Sequence, residues 1–162
     1  KLYKTNKLTM LTIERIKKDF SFIAAMTGNT ETFAGTDSFS GHGEFCDIYF
    51  KSVNKGITQK QVDTYNDFKR DFDQYIAEIE RHISNGLSSS EQGKLDEIKN
   101  SKLSFDVIEI SQDNPKYDMV LVCGKTVKRF LLFKTNIDLR VEFKNGKIRS
   151  AKRSKNTMED ND

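Results

Sequence analysis

The side chains that most often ligate metals or catalyse reactions are few in this 162-residue chain, which has two histidines and two cysteines. His42, Cys46, His82 and Cys123 are of the types that zinc prefers, but a zinc site needs four ligands that meet at one point. At these spacings the four residues would form such a site only by a coincidence of folding. We therefore expect no metal and no other cofactor.

His42 lies between two glycines, and Glu44 and Asp47 follow it closely. Histidine with carboxylates is a common composition of an acid–base site, so one hypothesis is an enzyme centred on these residues. No motif adds a nucleophile, since the chain has no phosphate-binding glycine loop, no Cys-x-x-Cys, no His-Glu-x-x-His and no Gly-x-Ser-x-Gly. An exposed loop histidine is the commoner role, and we expect a protein that is not an enzyme.

Three aspartates, Asp63, Asp67 and Asp71, follow one another at intervals of four residues. On a helix this spacing places them on one face, where their charges repel one another. Such a row is either a solvated ridge, which is the commoner outcome, or a surface for a basic partner. If the protein binds a protein partner, we expect these three residues to contribute.

Positive charge is concentrated near the C-terminus. Residues 1–124 carry 16 Lys/Arg and 19 Asp/Glu, whereas residues 125–155 carry 11 and 2, a net charge of +9. A basic face can bind nucleic acid or another polyanion, although lysines also protect exposed sheet edges from aggregation. No RNP-like aromatic run and no Gly-x-x-Gly clamp accompanies the charge. The residues we would assign to a polyanion site are Lys128, Arg129, Arg140, Lys147 and Arg149.

The strongest local pattern lies between Ile57 and Ser84, where we predict one long amphipathic helix. Thr58 and Gln61 have the spacing of a capping box, and Asn85-Gly86 supplies a stop. Apolar residues recur at helical spacing, namely at Val62, Tyr65, Phe68, Phe72, Tyr75, Ile76, Ile79 and Ile83. The stripe indicates a helix packed across a sheet, and the alternative is a seam for a partner helix.

Short strands are predicted before the helix. Residues 20–26 and 44–53 have the composition of strands, and residues 27–43 are rich in Gly, Thr and Ser. We interpret this middle segment as turns that join short strands such as Glu31–Ala34. Residues 87–102 form a Ser-rich linker and a short helix, for which Ser90 is the predicted cap.

The rest of the chain predicts an antiparallel meander. Its four strands are expected at residues 103–110, 117–123, 127–133 and 137–143, with turns near Pro115 and Gly124. Asn145-Gly146 predicts a type I′ hairpin. That turn would set Phe143 opposite Ile148 and Glu142 opposite Arg149.

These elements together predict an α+β fold, with mostly antiparallel strands packed on one long amphipathic helix. The parts are N-terminal strands plus the long helix in 1–86, a linker and short helix in 87–102, the C-terminal meander in 103–152, and a disordered tail in 153–162. We expect them to form one compact domain overall.

Neither a membrane span nor a disulfide is expected, since no apolar run approaches about 20 residues and both cysteines lie inside strand-like runs. Two buried thiols favour a reducing compartment, so we expect a cytoplasmic protein. The chain begins at Lys1 and not at Met, and a removed leader is the open alternative.

The segment Gly56-Ile57-Thr58-Gln59-Lys60-Gln61-Val62, followed by Tyr65 and Phe68, resembles small bacterial α+β domains that are similar to toxin-immunity proteins. The resemblance covers residues 44–84, and residues 103–150 in pattern only. It implies a non-enzymatic domain that binds a toxin protein through an exposed surface. The chain departs from such domains because it has no Trp and a net charge of +3, and no binding residue is transferred from them.

Overall fold

The computed structural model describes residues 10–24, 30–53, 56–129 and 133–153. Their elements in chain order are α1 (Ile13–Asp19), β1 (Ser21–Ala24), β2 (Thr30–Phe39), β3 (Gly43–Val53), α2 (Gln59–Asp71), α3 (Asp73–Asn85), α4 (Ser89–Gln92), α5 (Leu95–Asn100), β4 (Leu103–Ser111), β5 (Met119–Arg129), β6 (Phe133–Lys144) and β7 (Lys147–Arg153).

The seven strands form one sheet in which each strand lies beside its neighbours in the chain, from β1 at one edge to β7 at the other. All pairs are antiparallel except β3 and β4, which are parallel. Parallel neighbours need a crossover connection, and here α2 to α5 provide it. The protein is therefore α+β with a mostly antiparallel sheet.

The core lies between one face of this sheet and the helices. Alternate strand residues are buried on that face, including Ile48, Ile108 and Leu121, and Tyr65 and Ile79 are fully buried on the helices above them. We call the opposite side of the sheet the open face. Residues of the open face alternate in the strands with those of the core.

The prediction of one long helix is not confirmed, because α2 and α3 are separate helices of 13 residues each. They meet at Phe72, where the backbone N–H of Tyr75 donates to the Phe72 carbonyl at 3.0 Å in a tighter turn. The Phe72 ring packs against Phe39 and Phe105, with centroids 5.5 and 5.9 Å apart. The capping box of Thr58 and Gln61 is confirmed.

The prediction of turns and short strands is wrong for residues 30–39. They form the ten-residue strand β2, which pairs with β3 from Thr30 to Phe39. Phe33 and Phe39 are both buried in the core, and their even separation of six residues is what a strand with one inward face requires. The predicted turn residues 27–29 lie outside the described part of the chain.

The predicted turn at Gly124 is wrong, because β5 continues through this residue to Arg129. Gly124 pairs with Asp138 of β6. A Cβ at Gly124 would lie 2.6 Å from Asp138 Oδ1 and 2.8 Å from the Ile137 carbonyl oxygen. Glycine is needed here for the close approach of two strands.

The hairpin between β6 and β7 is confirmed, since Asn145 and Gly146 both have positive φ angles of 51° and 69°, as a type I′ turn requires. Phe143 pairs with Ile148 as predicted. Glu142 pairs with Ser150 and not with Arg149, because the register shifts next to Phe143. A bulge of this kind leaves one residue of the longer strand without an opposite partner.

Two smaller corrections concern the linker and the tail. The linker forms α4 and α5 in place of one helix, and Ser88, not Ser90, caps α4 with Glu91 in a capping box. Arg153, assigned to the tail, is the last residue of β7, and residues 154–162 lie outside the description. Among the described helices, none has both the length and the apolar character that crossing a bilayer requires.

Candidate partner-binding surface

The acidic ridge predicted on α2 lies on one side of that helix. Asp63 and Asp67 are exposed, and Asp71 is half-buried. Arg70 pairs with Asp67 at 3.0 Å and with Asp71 at 2.8 Å, so one cation offsets two of the three carboxylates. Asp63 accepts a hydrogen bond from the Gln59 amide at 2.8 Å. The acidic ridge, meaning these three aspartates, keeps a net negative charge when Arg70 is included.

A cleft of about 410 Å³ runs beside the acidic ridge, between α2 and the turn of the β6–β7 hairpin. Asp63 and Asp67 lie along it, whereas Asp71 does not line it. Aromatic and thioether side chains form its apolar part, namely Phe68, Tyr75, Met119 and Phe143. We call this the α2–hairpin cleft, and it was not predicted because β5 and β6 supply one of its walls.

Two polar contacts join the walls of the α2–hairpin cleft. The Tyr75 hydroxyl donates to the Gly146 carbonyl at 2.7 Å. Lys60 of α2 lies 3.7 Å from the Asp118 carboxylate. These contacts fix α2 and α3 relative to the hairpin, so the cleft between them is held in shape before a ligand arrives.

Asp118 organises the far wall of this cleft. Its carboxylate accepts from Lys144 Nζ at 2.9 Å and from the Asn145 backbone N–H at 2.8 Å. Burial opposes its ionisation, but the Asn145 N–H and the ammonium groups of Lys144 and Lys60 outweigh burial and lower the pKa of Asp118. The Asp118 carboxylate therefore stays charged and holds the hairpin turn in place through its hydrogen bond from Asn145.

The charge of the acidic ridge also reaches the cleft. The pKa of the Tyr75 hydroxyl is raised, first by partial burial and then by the charges of Asp71 and Asp67. Negative potential from neighbouring carboxylates disfavours a phenolate and favours a cation. The electrostatic character of this region is thus anionic.

Three of the basic residues proposed for polyanion binding have described side chains, namely Arg140, Lys147 and Arg149. Arg140 is on the open face, where it pairs with Glu142 at 3.5 Å and lies over the Tyr117 ring. Lys147 and Arg149 are exposed near the hairpin, and Arg149 donates to the Lys116 carbonyl at 2.6 Å. For Lys128 and Arg129, only the backbone in β5 belongs to the description.

Another basic residue of the same region, Lys125, is almost fully buried in the core face. Its ammonium group donates to the carbonyl of Ile98 at 3.1 Å and lies 2.6 Å from Glu80 Oε2. Lys125 thereby caps the end of α5 and joins it to α3. It contributes to the net charge of the region without being accessible to a ligand.

Of the hypothetical acid–base group around His42, the two described side chains, His42 and Asp47, lie apart. The His42 ring stacks on Phe105 with centroids 5.2 Å apart, and its Nδ1 lies 3.1 Å from the Leu103 carbonyl oxygen. Asp47 belongs to the open face, and the side chain of Glu44 lies outside the described atoms. The observed contacts of His42 are those of a packing residue.

The candidate metal ligands are likewise separate. Cys46 and Cys123 are buried free thiols, and burial, with help from the charge of Asp106, raises the pKa of Cys46 to about 12. Such thiols stay protonated and are poor ligands and nucleophiles. Within residues 10–24, 30–53, 56–129 and 133–153, no three His, Cys, Asp or Glu side chains are grouped as a metal site requires.

No sequence pattern indicated a polar cluster near the C-terminal end of β2. Asp37 accepts from the Tyr65 hydroxyl and from Lys69 Nζ, and both Asp37 and Lys69 line a broad groove of about 1160 Å³. Tyr65 is fully buried, and burial and Asp37 raise the pKa of its hydroxyl. An inaccessible tyrosine bound to a paired carboxylate joins α2 to the sheet and is poorly placed for catalysis.

The chain matches no protein-family model, no curated protein and no solved structure. The class of the protein is therefore defined by the structure, as α+β with helices packed on one face of a mostly antiparallel sheet. The resemblance to toxin-immunity proteins stays a prediction.

Proposed function

We propose that this protein is a non-enzymatic binding domain that recognises a basic protein partner through the acidic ridge of α2, as an immunity protein binds its toxin. The observation that supports the proposal most is the position of Asp63 and Asp67 along a preformed cleft with an apolar floor. Protein interfaces combine apolar pockets with charged groups at their margin, and charge complementarity selects the partner.

The surroundings of the acidic ridge fit recognition better than catalysis. The pKa of Tyr75 beside it is raised by partial burial and by the charges of Asp71 and Asp67, so this hydroxyl is a poor base at neutral pH. A reducing compartment such as the cytoplasm accords with the two free, buried thiols.

The test uses the whole chain as bait. Wild-type protein and the triple variant Asp63→Asn, Asp67→Asn, Asp71→Asn are immobilised and exposed to lysate of the source organism, and captured proteins are quantified by mass spectrometry. Each captured protein is then produced alone, and its affinity for both baits is measured by calorimetry. The triple variant should bind at least about tenfold more weakly, since each exposed charge pair contributes up to about 1 kcal/mol.

A matched control distinguishes the effect of the acidic ridge on affinity from the effect of the net charge. Asp73, Asp96 and Glu97 are exposed acids that form no ion pair with other described residues. Changing them to Asn, Asn and Gln alters the net charge by the same amount and should leave the affinity unchanged. Equal affinity of the ridge variant and wild type, or equal loss in both triple variants, would contradict the proposal.

A second function, polyanion binding, is favoured by the register of the basic strands. Like-charged residues lie directly opposite one another in two cross-strand pairs with described side chains, namely Arg140 with Lys152 and Lys144 with Lys147. Each pair has one carboxylate contact, Glu142 at Arg140 and Asp118 at Lys144, and so keeps a positive charge. Like charges in opposite positions destabilise a sheet. A bound polyphosphate would relieve this repulsion, which is a reason for a sequence to keep such pairs.

A further inference from the structure

We infer that the α2–hairpin cleft receives an arginine side chain of the partner, with its guanidinium group between the acidic ridge and the aromatic floor. The inference rests on the proposed function and adds to it the residue that is recognised. The acidic ridge alone would attract any basic surface, whereas the α2–hairpin cleft selects one side chain by shape and by charge.

Charge is the first argument for a cation. The α2–hairpin cleft is lined by three aspartates, Asp63, Asp67 and Asp118, against one lysine, Lys60. Lys60 and Lys144 both lie at Asp118, and Arg70 lies between Asp67 and Asp71. Four carboxylates therefore meet three cations, and Asp63 has no cationic partner among the described side chains. A ligand with one positive charge therefore improves the balance of the site, and a carboxylate or a phosphate would worsen it.

The floor is the second argument, because the ring of the half-buried Tyr75 lines it and can meet a planar cation, whereas Phe68 and Phe143 are only 4% and 3% exposed and support that ring. Phe68 and Tyr75 are stacked with centroids 5.9 Å apart, and the Tyr75 and Phe143 rings meet edge to face at 5.1 Å. Guanidinium groups stack on aromatic rings and bind carboxylates with two parallel hydrogen bonds. Lysine has neither property to the same degree, so arginine is the better occupant.

The chain itself shows that the acidic ridge binds a guanidinium group. Arg70 reaches Asp67 with Nη1 at 3.0 Å and Asp71 with Nη2 at 2.8 Å. The aspartate spacing on α2 therefore suits the two-pronged geometry of arginine. On the cleft side, Asp63 and Asp67 repeat that arrangement one turn earlier, next to the aromatic floor.

The test is a titration of the full-length, ¹⁵N-labelled protein with N-acetyl-arginine methylamide, followed by amide chemical shifts. Thr64, Asp67, Asn145 and Gly146 surround the α2–hairpin cleft, so their amides should shift together with one dissociation constant of about 1 mM, a usual affinity for one small group. The citrulline analogue has the same shape without the charge and should cause no such shifts. The lysine analogue should bind more weakly.

Variants locate the site. Asp63→Asn and Asp67→Asn should each weaken arginine binding about fivefold. Asp71→Asn is the matched comparison, since the Asp71 charge reaches the α2–hairpin cleft but its side chain does not line it, and this change should weaken binding less than either of the other two. Thermal unfolding of all three variants verifies that they are folded.

The outcomes separate this inference from the proposed function. Equal shifts with citrulline, shifts elsewhere only, or equal weakening by Asp71→Asn would overturn the arginine site. If the arginine site fails but the triple ridge variant still loses its partner, the acidic ridge functions without the α2–hairpin cleft. If arginine binds as described but partner affinity does not depend on the acidic ridge, the proposed function is overturned and the inferred role of the cleft with it.

Discussion

Single residues carried different amounts of information in this sequence. The alignment of Asp63, Asp67 and Asp71 followed from helical periodicity alone, because one helix fixes their relative positions. The opposite wall of the α2–hairpin cleft did not, since Met119 and Phe143 lie more than 40 residues further along the chain. When two distant segments form a candidate site, the sequence predicts only the part with a recognisable pattern, here the helical spacing of the aspartates.

Gly124 shows how a residue type can mislead. Glycine near the end of a strand-like run is typical of a turn, yet here it permits a close approach of β5 to β6. Glycine suits a turn and a close approach of strands for the same reason, which is that it has no side chain. The sequence therefore does not show which of the two roles Gly124 has. Only the pairing of Gly124 with Asp138 does so.

We therefore predict that Gly124→Ala destabilises the protein by about 1–3 kcal/mol, because the new methyl group meets a backbone carbonyl oxygen at 2.8 Å and forces the strands apart. The control is Gly93→Ala at the end of α4, where nothing lies within 4 Å of the added Cβ and φ is −61°. That change should be neutral or slightly stabilising. Urea unfolding monitored by circular dichroism measures both, and equal stabilities would contradict the account.

At the scale of elements, local signals were predicted best. The start and cap of α2, the end of α3 at Gly86 and the β6–β7 turn all depend on residues that are close in sequence. The interruption at Phe72 was not predicted, because the apolar stripe continues through it in the sequence. The break depends on tertiary contacts of the Phe72 ring with β2 and β4, which periodicity does not report.

Gln61 connects the helix to the sheet. Its side-chain oxygen accepts from the Thr58 N–H at 3.1 Å, and its amide nitrogen donates to the carbonyls of Lys51 at 2.9 Å and Ile110 at 3.2 Å. The residue is buried, and the two carbonyls belong to the parallel strands β3 and β4. One amide therefore caps α2 and bridges the strands that the crossover joins.

We predict that Gln61→Glu destabilises the protein by about 2–4 kcal/mol at neutral pH, although glutamate suits a capping box. The carboxylate keeps the acceptor but faces two carbonyl oxygens without a donor. Burial would raise its pKa in the folded state, so the destabilisation should grow as the pH rises through about 4.3 and above. Thermal unfolding between acid and neutral pH measures this trend.

The matched control for Gln61→Glu is Gln74→Glu, an exposed position in the first turn of α3. A negative charge there interacts favourably with the helix N-terminus, so stability should be unchanged or slightly higher. If both substitutions behave alike at every pH, the amide of Gln61 does not bridge β3 and β4 as described.

For the whole molecule, the α+β fold class could be predicted from the sequence, but the pairing of the N-terminal strands with the C-terminal strands could not. Strands, a helical region and more strands indicated α+β, but the parallel contact of β3 with β4 merges the two sets of strands into one sheet. The pairing of two distant apolar strands leaves no local signature. The acidic ridge and Arg140 consequently lie on opposite sides of the sheet, one on a helix over the core and the other on the open face.

That separation makes the polyanion alternative testable by itself. If the basic strands bind nucleic acid, a single-stranded DNA oligonucleotide should bind with log K falling linearly with log salt, since each neutralised phosphate releases counterions. Changing Arg140, Lys147 and Arg149 to Gln should reduce the slope by about 2, at about 0.7 per phosphate contact. Fluorescence anisotropy at several salt concentrations measures the slope.

The control for the oligonucleotide titration changes three exposed lysines outside the basic region, Lys17, Lys18 and Lys102, to Gln. The net charge falls equally, but the slope should remain that of wild type, because only contacted phosphates release their counterions. Equal slopes for the two triple variants would show that the molecule attracts DNA by net charge alone. In that case the opposed lysines and Arg140 have no polyanion ligand, and the acidic ridge on the other side of the sheet is the remaining candidate surface.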